Sequence, residues 1–336
     1  MGRRPEPRTV VITGASAGVG RATARAFARP GVAIGLIARG RAGLEAAAAD
    51  VRAAGGRPLV LPCDVADAEA VEAAAERVER ELGPIDVWVN VAMTAVLAEV
   101  TDTTDEEFRR VTEVTYLGAV HGAQAALRRM VPRDAGKIVQ VGSALGLRGI
   151  PLQATYCGAK HAVQGFVESL RTELRHRGAN VSLTIVQLPG LNTTQFTWVR
   201  ARTRGRPQPV PPVYSPEVAA RAIVWAARHE RRELWVGLPT VYTILGNRVA
   251  PWAADWYLAR TGVDGQQTEE PLEPDRPDYL FAPVDDERDH GSAGPFSATA
   301  HGRSAQLALA THRGALAAAG ALAVAAAGAG AVLGRR

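Results

Sequence analysis

Three side chains in the middle of the sequence have the types and spacing needed for proton transfer. Tyr156 and Lys160 lie four residues apart in a stretch that is predicted to be helical, which places both on one helix face. With 6 tyrosines and 2 lysines in 336 residues, such a pair is expected by chance only about 0.04 times. Ser143 lies nearby, at the end of a predicted strand. Singly, each residue has a structural reading as a core aromatic, a solvated charge or a turn former; jointly, they indicate general acid–base chemistry.

Short apolar, β-branched runs alternate with helical stretches from residue 8 to about residue 235. This alternation is typical of βαβ units and predicts an α/β fold with a doubly wound parallel sheet of about seven strands. The predicted strands are residues 9–13, 32–38, 57–62, 85–90, 137–142, 181–188 and 234–236. The predicted helices lie near residues 18–29, 44–54, 69–82, 105–130, 155–177 and 216–229. Right-handed crossovers would bring Ser143 to the edge of the sheet where ligands bind.

A glycine-rich turn joins the first predicted strand to the first predicted helix. Its glycines are Gly14, Gly18 and Gly20, with Ser16 and Val19 between them. Glycine lets backbone N–H groups approach a pyrophosphate closely, and the amino end of a helix favours negative charge. The turn therefore predicts a dinucleotide site, with a tight turn that binds no ligand as the alternative.

The residue after the second predicted strand bears on the choice of dinucleotide. An acidic residue at this place would hold a ribose hydroxyl, whereas an arginine suits a 2′-phosphate. The sequence has Arg39 here, which favours NADP(H) over NAD(H). A plain surface arginine is the alternative, because arginine accounts for 37 of the 39 Lys and Arg residues.

Together these motifs resemble those of the short-chain dehydrogenase/reductase (SDR) family over roughly residues 8–236. The matching motifs are Thr13-Gly14-x3-Gly18-x-Gly20, Asp64-Val65 after the third predicted strand, Ser143, Tyr156-x3-Lys160, and Pro189-Gly190 followed by Thr193. The resemblance implies a Rossmann-type fold and a homodimer or homotetramer formed through the long helices. It also implies cofactor contacts from Asp64 and Val65 at the adenine, from Asn90 and Ala92 along the cofactor path, and from residues 189–193 at the nicotinamide end.

The resemblance implies an NADP(H)-dependent oxidoreductase that transfers a hydride between nicotinamide and a carbonyl or secondary alcohol substrate. Tyr156 would exchange the proton as general acid and base, and Ser143 would orient the carbonyl. Lys160 would bind the nicotinamide ribose and lower the pKa of Tyr156, because a nearby cation stabilises a phenolate. The alternative is a non-catalytic NADP-binding sensor or scaffold on the same fold.

Two positions depart from the family pattern. The run after the fourth predicted strand is Asn90-Val91-Ala92-Met93, where the family usually has Asn-Asn-Ala-Gly. The catalytic Asn of the family corresponds to Thr115 in this sequence. In the family that Asn helps to hold a water leading to the Lys, largely through backbone geometry, so Thr115 is expected to preserve the relay.

Composition and charge exclude several other classes of protein. Hydrophobic residues make up 47% and charged residues 22% of the chain, as in ordinary globular proteins. The net charge of +5 comes from arginines spread along the chain, so no nucleic-acid surface is predicted. Cys63 and Cys157 are too few for a disulfide framework and favour a reducing, cytoplasmic compartment. The few histidines, His121 among them, have no metal-ligand spacing, and no metal is predicted.

The sequence divides into a catalytic part and a C-terminal extension. Residues 1–260 are predicted to form the cofactor-binding catalytic domain, with an irregular, Arg- and Pro-rich substrate lid near residues 191–214. Residues 261–312 are predicted to be a loosely ordered, acidic and Pro-rich linker, because residues 264–290 contain ten acidic residues and two arginines.

The end of the chain raises the question of a membrane. Residues 313–336 are rich in Ala and Gly, and the uncharged residues 315–333 would span about 28 Å as a helix, near the thickness of a bilayer. A tail anchored in a membrane and a helix lying on the protein or a partner subunit are the two alternatives. Trp252, Trp256 and Tyr257 would belong to an aromatic belt at a membrane interface, or would pack against the core or line the substrate entrance. Membrane attachment would favour an apolar, lipid-like carbonyl substrate.

Overall fold

A central parallel sheet organises the part of the chain that the computed structural model describes, residues 6–312. The strands are β1 (Thr9–Thr13), β2 (Ala33–Ala38), β3 (Arg57–Pro62), β4 (Val87–Asn90), β5 (Val96–Leu97), β6 (Gly136–Ser143), β7 (Val181–Leu188), β8 (Arg200–Ala201), β9 (Gly205–Pro207), β10 (Glu233–Trp235) and β11 (Gln267–Pro271). Seven of them form one parallel sheet in the order β3-β2-β1-β4-β6-β7-β10. The predicted doubly wound sheet is confirmed, because the strand order reverses its direction at β1.

Helices cover both faces of this sheet. They are α1 (Gly18–Phe27), α2 (Arg41–Ala53), α3 (Ala68–Leu82), α4 (Asp105–Thr112), α5 (Gly118–Met130), α6 (Ala154–His176), α7 (Gln195–Trp198), α8 (Pro216–Arg228), α9 (Leu238–Val249), α10 (Pro251–Thr261) and α11 (Ala305–Thr311). Helices α1, α2 and α8 pack on one face, and α3, α5 and α6 pack on the other. Every residue of β1, β2 and β6 is consequently buried, which explains why β1 and β2 are mainly apolar.

The helix predicted over residues 105–130 is divided in the structure. Helix α4 ends at Thr112, a π-helical turn spans Glu113–Leu117, and α5 continues from Gly118. The turn carries Thr115, and single π-helical turns inside α-helices are frequent at functional sites. The sequence could not show this division, because the turn barely changes the spacing of apolar residues.

The C-terminal region packs closely on the rest of the protein and so differs from the loose linker predicted for residues 261–312. Strand β11 pairs with β9 in an antiparallel ladder, and α11 adds Leu307 and Ala310 to the core. Between them, residues 272–304, called the strap here, cross the carboxyl edge of the sheet without regular secondary structure. The prediction was based on the low hydrophobicity of this region. It did not consider that the acidic strap forms ion pairs with the arginine-rich domain, such as that of Asp289 with Arg21.

A buried carboxylate joins α4, β8 and the strap. Glu107 has 2% of its side chain exposed and accepts hydrogen bonds from Arg200 and Arg202 at 2.7–3.1 Å. Arg200 also donates to Asp278 of the strap at 2.8 Å. Burial alone would raise the pKa of Glu107, but hydrogen bonds from Arg202 and the Thr104 backbone outweigh it and lower the pKa to about 2.

Glu107→Gln is expected to destabilise the protein at neutral pH and to remove part of its acid sensitivity. A carboxyl whose pKa is lowered from 4.5 to about 2 by folding contributes stability above pH 4.5, and this stability is lost as the pH falls towards 2. The full contribution corresponds to about 3 kcal/mol. Urea unfolding at pH 7 and pH 3.5 gives the free energies of unfolding of the wild-type protein and of Glu107→Gln. The difference between the two proteins should be smaller at pH 3.5 than at pH 7. An equal difference at both pH values would contradict this role for Glu107.

Residues 313–336, which include the predicted apolar tail, lie outside the described residues. Within residues 6–312, no helix is both long enough and apolar enough to cross a membrane. The aromatic residues considered for a membrane interface are on helix α10, where Trp252 and Trp256 are 74% and 60% exposed. These two side chains therefore do not pack into the core.

Candidate active site

One large cavity of about 700 Å³ opens along the carboxyl edge of the sheet. Cavities of this size hold cofactors and drug-sized ligands. The residues predicted from the sequence that lie in its wall are Gly14, Ser16, Gly18, Val19, Gly20, Arg39, Asp64, Val65, Ala92, Ser143, Tyr156, Lys160, Pro189, Gly190 and Thr193. The wall extends from the glycine turn to helices α9 and α10. Most of the candidate site is thus brought together in one place.

The glycine turn after β1 is held close to the segment after β4. The Thr13 hydroxyl accepts hydrogen bonds from the backbone N–H groups of Val91 and Ala92 at 3.0 and 3.1 Å. Gly14 has a φ of +67°, and a Cβ there would lie 2.9 Å from the Ala92 Cα. A Cβ on Gly20 would lie 1.9 Å from the Gly14 carbonyl oxygen. The turn is therefore a cradle that requires glycine, at the amino end of α1, and it fits the pyrophosphate of a nicotinamide dinucleotide.

Ser143, Tyr156 and Lys160 meet in the wall of this cavity. Ser143 is the last residue of β6; its hydroxyl is hydrogen-bonded to the Tyr156 phenol and accepts from the Leu145 N–H at 3.1 Å. Tyr156 and Lys160 lie one turn apart on α6, and the Lys160 Nζ is 5.6 Å from the Tyr156 ring centroid. Lys160 also donates to the Val141 carbonyl at 2.9 Å. The helix and the strand end thus place the three functional groups side by side.

The pKa values in this cluster differ from the expectation. Burial raises the pKa of Tyr156 above its ordinary value, although the hydrogen bond with Ser143 acts in the opposite direction. Burial lowers the pKa of Lys160 to about 8. The expected lowering of the Tyr156 pKa by Lys160 is not found in this arrangement, because lost hydration has the larger effect and Lys160 donates to Val141 instead. Tyr156 is consequently protonated at neutral pH.

Arg39 and Asp64 both have partners at the adenine end of the cavity. Arg39 donates to the backbone carbonyls of residues 279–281 in the strap. Asp64 is paired with Arg110. Burial would raise the pKa of Asp64, but the Ala66 N–H and Arg110 outweigh it and hold the pKa below its usual value. The guanidinium on which the NADP(H) prediction depends is therefore already hydrogen-bonded to the strap.

Asn90 lies outside the cavity wall, which corrects its expected position along the cofactor path. Its side chain is buried, donates to the Ala119 carbonyl and to Gln140, both at 3.1 Å, and accepts from Trp88 at 2.8 Å. Side chains alternate between the two faces of a strand, and that of Asn90 is directed towards α5. The Asn90 side chain therefore fixes β4 to α5 and β6.

Thr115 also lies outside the cavity wall and acts on the segment that follows β4. Its hydroxyl accepts from the Thr94 N–H at 3.0 Å and donates to the Thr94 carbonyl at 2.9 Å. Both residues are 1% exposed. The Thr115 side chain is therefore a positioning group for residues 91–94, several of which form the cavity wall.

Thr115→Val is expected to destabilise the protein by at least about 2 kcal/mol, because it leaves the buried N–H and carbonyl of Thr94 without partners. Thr115→Asn supplies both a donor and an acceptor, so it should destabilise less and keep turnover within about tenfold of wild type. Urea unfolding and steady-state kinetics of both variants measure these effects. A Thr115→Val protein as stable as wild type would show that these hydrogen bonds contribute nothing.

Met93, which replaces the usual glycine of the family, contacts the strap. The Tyr279 hydroxyl donates to the Met93 sulfur at 3.7 Å. Both side chains pack with Tyr156 around Leu97 and Val199. Sequence reasoning missed Tyr279, because no local pattern links it to a residue 186 positions away. The methionine that departs from the family pattern is thus in contact with Tyr279, a residue of the strap.

The end of the cavity near α9 and α10 has mainly apolar walls. Residues from the predicted lid at 191–214 form one side, and residues of α9 and α10 form the other; they include Leu191, Phe196, Trp198, Val199, Val210, Tyr242, Tyr257 and Leu258. Polar side chains there include two hydrogen-bonded pairs: Arg148 donates to Asn247 at 3.0 Å, and Gln153 donates to Gln266 at 2.6 Å. This end is therefore suited to an apolar ligand.

The cysteines and the metal-binding residue types add no second reactive centre within residues 6–312. Cys63 and Cys157 are free thiols. Burial, with a contribution from Asp64, raises the pKa of Cys63 to about 12, and burial also raises the pKa of Cys157, so both thiols stay protonated. In the same residues, no three His, Cys, Asp or Glu side chains are placed to hold a metal ion.

A doubly wound sheet with a glycine cradle and a Ser, Tyr and Lys cluster at its carboxyl edge defines a class of nicotinamide-dependent oxidoreductases. The family model described as short chain dehydrogenase matches residues 8–204. The chain belongs to this family and is an oxidoreductase enzyme.

Relatives and a solved structure agree with this assignment. The uncharacterized oxidoreductase YxnA of Bacillus subtilis (strain 168) is 30% identical over 283 residues, which cover 83% of this chain and 79% of YxnA. The dehydrogenase/reductase SDR family member 7 of Homo sapiens is 39% identical over 182 residues, 52% of this chain and 54% of that protein. A short-chain type dehydrogenase/reductase from Mycobacterium marinum has the same fold, with a TM-score of 0.58, 24% identity, and coverage of 68% of this chain and 93% of its own.

Proposed function

We propose that the protein interconverts a carbonyl and a secondary alcohol on an apolar substrate, with NAD(H) or NADP(H) as the hydride donor or acceptor. The observation that carries the proposal is the cluster of Ser143, Tyr156 and Lys160 in the same cavity wall as the glycine cradle. The nicotinamide group, when bound, supplies or accepts the hydride. The chain itself must then bind both molecules and move one proton.

Tyr156 is the proposed general acid for reduction. Burial keeps its phenol protonated, so the proton is available when a carbonyl oxygen comes within hydrogen-bonding distance. Ser143 is placed to donate to the same oxygen, because its hydroxyl already lies against the phenol. In the oxidative direction the Tyr156 phenolate accepts the alcohol proton.

Lys160 is the proposed stabiliser of that phenolate. Its pKa of about 8 leaves the amine mainly charged at neutral pH, and α6 holds it one turn from Tyr156. The hydrogen bond to Val141 fixes the end of its side chain beside the cavity. A cation at this distance favours the charged form of the phenol once the proton has been transferred.

The proposed substrate is apolar because of the walls near α9 and α10. Tyr257 contributes to the wall and is 58% exposed, so it lies at the rim of the cavity. Trp252 and Trp256 extend the exposed aromatic surface along the same helix. An apolar molecule would thus contact this aromatic surface before it enters the cavity, and its loss of contact with water would be favourable at each stage.

The experiment that tests this function follows nicotinamide absorbance in the presence of steroid, retinoid and long-chain aldehyde or ketone substrates. NADH and NADPH are supplied separately, and small polar carbonyls of equal concentration serve as controls. Turnover is expected with at least one apolar carbonyl and should exceed that with the polar controls. Tight nucleotide binding without turnover on any carbonyl would instead support the non-catalytic sensor or scaffold.

A further inference from the structure

The strap caps the helix that follows β2. The first three N–H groups of α2 all donate to it: Arg41 to the Asp286 carboxylate at 2.9 Å, Ala42 to the Asp286 carbonyl at 3.1 Å, and Gly43 to the Asp285 carbonyl at 2.9 Å. These groups are the donors that an anion at the amino end of α2 would need. The strap already satisfies them, so this helix end offers little to a phosphate.

The Asp285 carboxylate lies directly in front of the end of β2. Asp285 has only 7% of its surface exposed to solvent, yet it forms part of the cavity wall. A Cβ on Gly40 would lie 1.8 Å from Asp285 Oδ1, and a Cβ on Gly43 would lie 2.6 Å from Oδ2 and 2.9 Å from the Ser16 Cβ. Within residues 6–312, no N–H or O–H group donates to this carboxylate, so its oxygens are available to a ligand.

The two arginines at this end are committed to other partners. Arg39, the cation that a 2′-phosphate would require, donates to carbonyls of residues 279–281. Arg110 is paired with Asp64 and donates to the Leu280 carbonyl at 3.0 Å. Asp285 places a carboxylate near Arg39 and offsets its positive charge, which weakens the attraction that a 2′-phosphate would otherwise find here.

The strap forms a wall of the cavity and does not fill it. Pro283, Val284 and Asp285 line the same space as Ser16 and Asp64. With the strap in this position the cavity has a volume of about 700 Å³. A nucleotide lying against the Asp285 carboxylate would place its pyrophosphate on the glycine cradle, where it would replace the 3.4 Å hydrogen bond from the Gly18 N–H to the Gly291 carbonyl of the strap.

We propose that Asp285 accepts a hydrogen bond from the 2′-hydroxyl of the adenosine ribose and makes the protein select NAD(H) over NADP(H). In dinucleotide folds this hydroxyl is read by an acidic residue at the end of the second strand, a place that Arg39 takes here. Asp285 reaches the same place from the strap. A carboxylate accepts from a hydroxyl but repels a 2′-phosphate. The inference rests on the proposed function and reverses the preference expected from Arg39.

The test compares the binding of ADP-ribose and 2′-phospho-ADP-ribose to the full chain by titration calorimetry. Both ligands lack nicotinamide, so their affinities do not depend on turnover. The wild-type protein is expected to bind ADP-ribose at least about tenfold more tightly than its 2′-phosphate. Asp285→Asn keeps the shape of the side chain and removes its charge, and it should reduce this ratio about tenfold or more.

Glu287→Gln is the matched control, because it removes one negative charge from an exposed position two residues further along the strap. Its ratio of affinities should stay within about twofold of wild type, since exposed charges are screened. A wild-type preference for the 2′-phosphate, or an unchanged ratio in Asp285→Asn, would overturn the inference and leave the proposed function standing. Binding of neither ligand would overturn the proposed function itself.

Discussion

Tyr156→Phe is expected to lower kcat/KM for carbonyl reduction by about a thousandfold, the size typical of a lost general acid. The substitution removes one hydroxyl and leaves the ring, which packs with Met93 and Tyr279 around Leu97. Ser143 remains hydrogen-bonded to the Leu145 N–H, so the end of β6 keeps its conformation. Steady-state kinetics on the best substrate of the carbonyl panel measure the loss.

The same experiment separates chemistry from binding. The affinity of Tyr156→Phe for ADP-ribose should stay within about threefold of wild type, because the substitution changes no group of the glycine cradle and ADP-ribose lacks the nicotinamide. Tyr214→Phe is the matched control: it removes the same hydroxyl from a buried core residue that lies outside the cavity wall. It should retain most of the activity. Near-normal turnover in Tyr156→Phe would refute the assigned role.

Gly20→Ala is expected to weaken ADP-ribose binding by about a hundredfold and to destabilise the protein by about 3 kcal/mol. The added Cβ would lie 1.9 Å from the Gly14 carbonyl oxygen and 3.1 Å from the Ala15 Cα. Both neighbours are backbone atoms, so the turn must shift as a whole. That shift would move the N–H groups that face the pyrophosphate.

Gly165→Ala is the control for this substitution. Gly165 is an exposed residue of α6, and a Cβ there meets nothing within 4 Å. Alanine is a better helix former than glycine, so this variant should be stabilised by up to about 1 kcal/mol. Thermal unfolding and calorimetry on both variants give the comparison. Unchanged nucleotide affinity in Gly20→Ala would show that the turn does not bind the nucleotide.

The sheet and the cluster of Ser143, Tyr156 and Lys160 could be predicted because their signals are local. Strands β1 and β2 are buried on both faces and therefore consist mainly of apolar residues. Such short apolar runs can be recognised in the sequence. Tyr156 and Lys160 are related by the period of a helix, and a helix indeed carries them. Ser143 could be placed because a catalytic hydroxyl must stand where a parallel strand ends.

The strap could not be predicted, because its structure depends on contacts between distant parts of the chain. Its composition resembles that of a disordered linker, and only the folded domain supplies the arginines and N–H groups that hold it. Asp285 fits beside Gly40 and Gly43, whose missing side chains leave space for its carboxylate. The same reason explains Arg39 and Asn90, which the sequence predicted to contact the cofactor. Their hydrogen-bond partners are mostly distant in the sequence, so no local pattern could reveal them.

Both lysines in the sequence lie inside the fold: Lys137 is 1% exposed and Lys160 is 4% exposed. Lys137 is held deep in the sheet, where its amine donates to Thr184 at 2.6 Å. Activated esters and other amine-directed reagents would therefore find no lysine on the outside of the folded protein. Acylation of Lys160 would report entry of the reagent into the cavity, while acylation of Lys137 would report unfolding of the sheet around it. Mass spectrometry of the two peptides would thus separate these two events in a single labelling experiment.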